Sequence, residues 1–173
     1  MKTKQVLDLM NILSWIIFIG LCIETGALVV SFLISLFINT DAAQHLYLGQ
    51  DFSELYRSNI WYFVNTMSFV IILYGLKAYI FYLVIKIFLK VDFDHPFSAT
   101  AVSLISKISH VALEIGIVAL VAQHYSKWLL NQGILVEQQW GSWDYLFLAG
   151  IIFVIALVFK RGIEIQSENE LTI

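Results

Sequence analysis

Residues 12–38 read ILSWIIFIGLCIETGALVVSFLISLFI, a run in which Glu24 is the only charged side chain. About 20 apolar residues, rising 1.5 Å each, cross a hydrocarbon layer of roughly 30 Å, so a stretch of this length and character reads as a membrane-spanning helix. The preceding MKTKQVLDLM has the basic start of a signal peptide. The apolar run nevertheless continues without an A-x-A-like cleavage site, and we read it as a retained first span.

Working outward, three further apolar segments follow: Ile60 to Leu89, Leu104 to Leu130, and Trp143 to Phe159. The expected spans are about 12–38, 60–89, 104–130 and 143–161, the last being the shortest. Short connections force neighbouring spans to run in opposite directions, which predicts an all-α, antiparallel four-helix bundle. Residues 1–173 then form a single four-span transmembrane domain, with a cytoplasmic loop at 90–103 and a cytoplasmic tail at 162–173. The composition agrees: 60% of the 173 residues are hydrophobic and 13% charged, against roughly 45–50% and 25% in soluble domains. A net charge of −3 without a dense Lys/Arg cluster gives no electrostatic footprint for direct nucleic-acid binding. The one cysteine, Cys22, lies inside an apolar run and reads as a packing residue.

Basic residues set the orientation. Lys2, Lys4, Lys86, Lys90, Lys107, Lys160 and Arg161 fall on one side, and Arg57 and Lys127 on the other. The positive-inside rule therefore places both termini in the cytoplasm. Trp61, Trp128, Trp140 and Trp143 gather at the opposite ends with Tyr62, Tyr125 and Tyr145, as an interfacial aromatic belt requires. In the outer loop, Leu46 to Tyr56 is either a short helix on the membrane surface or a plain connection. In the inner loop VDFDHPFS, Pro96 disfavours helix at His95, and Ser98 offers a hydroxyl to cap the helix of span three.

Four ionisable residues lie within spans: Glu24, Lys77, His110 and Glu114. A charge at the bilayer centre costs about 2.5–3.5 kcal/mol on insertion scales, so such groups are expected to turn inward and meet in a buried polar cluster. Ser103, Lys107, His110 and Glu114 form one stripe at helical spacing on span three. Gly20, Glu24, Ala27, Ser31 and Ser35 form a small-residue strip on span one that would admit a close neighbour. Two readings stand: a structural ion-pair network, or a site for a proton, an ion or a small polar ligand, as in a small transporter whose pathway a homo-oligomer completes. Neither H-E-x-x-H, G-x-S-x-G, Walker nor G-x-G-x-x-G patterns occur, so the usual motif routes to an enzyme are closed. We expect no enzyme activity, no cofactor and no metal site.

Two cytoplasmic segments are more specific. His95-Pro96-Phe97-Ser98 resembles the N/H-P-F-S segment between the second and third spans of a bacterial family, domain of unknown function 2975. Val158-Phe159-Lys160-Arg161-Gly162, with Glu164 and then Glu168-Asn169-Glu170-Leu171-Thr172-Ile173, resembles that family's closing F-K-R-G…E-N-D-L-T-V, Glu170 standing where aspartate is commoner. The resemblance implies a four-span protein of the bacterial cytoplasmic (inner) membrane. It also implies a cytoplasmic partner, since members are often encoded beside a Cro/Xre-type helix-turn-helix regulator. The two segments would then form the docking surface, with the alternative that they only cap helices at the membrane surface.

Overall fold

The computed structural model describes residues 3–38, 52–90, 98–136 and 138–170, with side chains through Gln166. Five helices follow in order: α1 (Thr3–Phe37), α2 (Ser53–Ser58), α3 (Ile60–Lys90), α4 (Ala99–Asn131) and α5 (Ser142–Glu170). The four long helices are each long and apolar enough to cross a membrane. They outrun the expected spans: α1 begins nine residues before Ile12, and α5 passes Gly162 without a break. Lys4, Asp8, Lys160 and Arg161 are good helix formers or neutral at helix ends, so nothing in these flanks stops the backbone where hydropathy falls.

Local chemistry explains the ends. Asn59 closes α2 and opens α3, its Oδ1 accepting from the Trp61 amide at 2.9 Å while its carbonyl accepts from Tyr62 at 2.9 Å. Ser98 caps α4 as expected, its hydroxyl accepting from the Ala101 amide at 3.2 Å. At the far end of α4 the chain reverses through Gly133, with φ of 83°. The Ile134 amide donates to the Leu129 carbonyl and the Gly133 amide to that of Leu130, while Leu129 and Ile134 are both buried. This double bond with its apolar contact is the Schellman ending, which needs a left-handed residue just past the helix.

The long helices pack as a row in chain order. Phe18 meets Tyr82 and Phe32 meets Phe63 across α1 and α3; Tyr62 meets Trp128 and Phe69 meets Tyr125 across α3 and α4. Across α4 and α5, Ser109 Oγ donates to the Ala149 carbonyl at 3.1 Å and Ser142 Oγ to Gln123 Oε1 at 2.9 Å. In each pair, numbers fall along one helix as they rise along the next. Among the described residues α1 approaches neither α4 nor α5 within 8 Å between Cα atoms. Among the described residues the four long helices of the all-α fold thus form an open row within one chain. Most of α1 and α5 faces outward, with Ile12, Ile16, Ile23, Phe147, Val154 and Val158 exposed as lipid-facing side chains would be.

The short helix α2 packs against α3. Phe52 and Leu55 are buried, and Tyr56 packs edge-on to Phe63 at 5.3 Å. Leu46 to Asp51 lie outside the described residues.

Candidate functional site

The four ionisable residues lie near the middles of their helices. Glu114 is one residue from the midpoint of α4, Lys77 two from that of α3, Glu24 four from that of α1, and His110 five from that of α4. All lie within about 8 Å of a helix centre along the axis. They do not share a cavity wall or a bond. Lys77 is half-buried, its ammonium 4.8 Å from the ring centre of Tyr74 on its own helix and 5.4 Å from that of Tyr145 on α5. Two electron-rich ring faces thus take the place of a carboxylate. Glu24 is half-buried on α1, beside the face that packs on α3.

His110 and Glu114 are exposed on the outer side of α4. The His110 Nδ1–H donates to the Ser106 carbonyl at 2.6 Å, which leaves Nε2 directed away from its own helix. Among the described residues no ion pair joins Glu24, Lys77, His110 and Glu114. The expected buried cluster is therefore corrected: within one chain it is not assembled. The reason is the small-residue seam on the other side of α4. Ser109, Ala112, Gly116 and Ala119 are all buried, and a Cβ placed on Gly116 would lie 2.6 Å from Leu146 Cδ2. Close packing there commits that face to α5 and turns the Ser103–Glu114 stripe outward. Meanwhile α3 stands between α1 and α4. The small-residue strip expected on α1 does not give a close approach at Gly20, where a Cβ would meet nothing within 4 Å.

Of the residues expected to face the cytoplasm, Ser98 is the N-cap of α4, whereas His95, Pro96 and Phe97 lie outside the described residues. Lys160 and Arg161 are exposed on α5, and Arg161 Nη1 donates to Glu164 Oε2 at 2.7 Å. Both partners are well exposed, at 64% and 45%, so this pair contributes little to stability. The helix carries on through Gly162 to Glu168, Asn169 and Glu170, so most of the expected tail at 162–173 is helical.

The opposite end of α4 holds a feature that the sequence did not reveal. A cavity of about 400 Å³ is lined by Gln123, Ser126, Lys127, Gln138, Gln139 and Trp140, among others. Trp140, expected in the interfacial belt, is buried, and its Nε1–H donates to Ser126 Oγ at 2.9 Å. Trp61 and Trp143 are exposed, at 68% and 72%. The signal that was available is the pair Gly133 and Gly141, both at positive φ, which bracket the connection that folds over the end of α4.

The family model described as Protein of unknown function (DUF2975) matches residues 47–173, well over half of the chain. The chain belongs to this family. The DUF2975 match takes in α2 to α5 and both segments that carry the resemblance, while α1 and Glu24 precede it. With its four long apolar helices, this DUF2975 chain is a multi-pass membrane protein. No curated protein and no solved structure matches it.

Proposed function

We propose that this protein is a non-enzymatic regulator of a bacterial inner membrane, with both termini cytoplasmic, that docks a small soluble helix-turn-helix transcription factor on its cytoplasmic face. The observation that carries the reading is the length of α5. Its 29 residues extend about 43 Å, so about nine residues exceed a 30 Å hydrocarbon core. The apolar run ends at Phe159, and the exposed Lys160 and Arg161 that follow suit the headgroup layer, so the helix continues beyond it from Gly162. The emergent part is thus helical rather than a loose tail, and it carries Glu164, Glu168 and Glu170 in sequence. A projecting acidic helix suits a basic, DNA-binding partner better than it suits the membrane surface. Ser98, which caps α4, sits at the same end and would position the inner loop beside it.

The test is co-purification of the full chain with a small Cro/Xre-type helix-turn-helix regulator, before and after deletion of residues 163–173. Loss of the regulator on truncation, with the membrane protein still inserted and extractable, is the expected result. Retention at the full-length level removes this docking surface.

A further inference from the structure

The outer side of α4 carries ionisable side chains, His110 and Glu114, that are costly to leave facing lipid. Ser103, Lys107, His110, Glu114, Ile117 and Val121 follow in alternating steps of four and three, all of them exposed, and the register continues to Trp128. Strict alternation of this kind gives a 3.5-residue repeat, the seam of a left-handed helix pair crossing near +20°. Side chains half a turn away, such as Ala112, Ile115 and Ala119, are buried inside the chain, so the seam is free of its own fold.

We propose that this seam is a two-fold interface with a second copy of the same chain, closed by reciprocal pairs between His110 of one copy and Glu114 of the other. Two copies in one bilayer share a topology, so their α4 helices run parallel about an axis along the membrane normal. In such an isologous contact each residue faces its own counterpart and those one turn away, and any pair formed is formed twice. His110 and Glu114 are one turn apart. Because the His110 Nδ1–H is held by the Ser106 carbonyl, Nε2 is the atom that meets the partner carboxylate. A single proton between Nε2 and that carboxylate leaves the pair neutral overall, whichever atom carries it. Two neutral pairs near the bilayer centre replace four polar groups facing lipid. Lys107, one turn nearer the α4 start, has a long stem that reaches toward the headgroups. Self-complementarity selects a second copy over an unrelated helix, because donor and acceptor are on the same seam at the spacing a two-fold axis needs. The inference stands apart from the cytoplasmic partner proposed above.

The experiment uses two differently tagged full-length copies, co-expressed and extracted in mild detergent, with capture by one tag and quantification of the other. Wild-type copies are expected to capture each other. His110→Glu in both copies sets carboxylate against carboxylate, and Glu114→Lys in both sets imidazole against ammonium; each is expected to reduce capture at least tenfold. A His110→Glu copy with a Glu114→Lys copy restores both reciprocal pairs between chains, and capture should return. A pair acting only within one helix gives no such mixed rescue. Undiminished capture by the single variants, absence of mixed rescue, or no self-capture by wild type each overturns the proposal. As a second reading, Val121→Cys in a Cys22→Ser background should cross-link to a dimer in the membrane, whereas Val154→Cys on exposed α5 should not. Equal cross-linking at both sites, none at Val121, or coupling of Val121 to a different protein also overturns it.

Discussion

The two sides of α4 present opposite chemistry at the same depth. Toward α5 lie Ser109, Ala112, Gly116 and Ala119, buried and small, with the Leu146 side chain seated against Gly116. On the other side, at the same levels, are His110, Glu114 and Ile117, large or ionisable and exposed. In water the small side would be the weaker one, since it offers little apolar area. In a bilayer the lipid tails are as apolar as any side chain, so close backbone approach and interhelical hydrogen bonds decide what packs. The contrast explains why a helix can hold its neighbour through the residues that contribute least hydrophobicity.

The strongest way to break that contrast is Gly116→Leu. The Cβ alone would meet Leu146 Cγ at 2.7 Å and the Leu146 amide nitrogen at 3.2 Å, so a branched chain cannot be absorbed by a side-chain shift. We expect a loss of about 3 kcal/mol, the upper end of overpacking costs, read as a lower unfolding midpoint in an SDS titration of the purified chain. An unchanged midpoint would mean that α4 and α5 do not hold this distance in the membrane. A finer probe of the same side is Ser109→Ala, which keeps the volume small and removes only the bond to the Ala149 carbonyl. Interhelical bonds of this kind average about 0.6 kcal/mol in a bilayer, and the same titration should show a shift of that size.

The comparison also shows what the sequence could and could not convey. Four apolar runs, the N-cap at Ser98 and the Ser103–Lys107–His110–Glu114 stripe were all legible, because length, capping chemistry and helical periodicity are properties of a single segment. The direction of the stripe was not. Periodicity assigns residues to a face, but which neighbour covers that face depends on where the next helix comes to rest. The rule that ionisable groups turn inward made the wrong choice for α4, because Gly116 and its small neighbours had a stronger claim on the interior. On α1 the same ambiguity ran the other way, and the strip from Gly20 to Ser35 brings no side chain near Gly20. Lys77 and Tyr74, three residues apart, share a helical face, and their contact is present at 4.8 Å. The second ring beside Lys77, Tyr145 on α5, belongs to the tertiary arrangement and leaves no trace in local spacing. The cavity over the end of α4 was hidden for the same reason, since Gln123 and Gln138 are brought together only by the turn at Gly133.

The smallest expected effect sharpens the contrast most. Glu114→Gln, read on the stability of the isolated chain in detergent, should move the unfolding midpoint by no more than about 0.5 kcal/mol, as for an exposed position without a specific role in the fold. The carboxylate is exposed, and no hydrogen bond or ion pair ties it to its own chain. Removing its charge therefore takes away no intrachain bond, while the amide keeps nearly the same shape. A loss above about 1 kcal/mol would instead show that Glu114 has a partner within the chain and that the outer side of α4 is part of the fold. The same substitution is expected to weaken self-capture, since an amide cannot take the place of a carboxylate in a charge-assisted pair. Stability retained together with association lost is the combination that separates the two sides of the helix: one holds the chain together, and the other holds it to its copy.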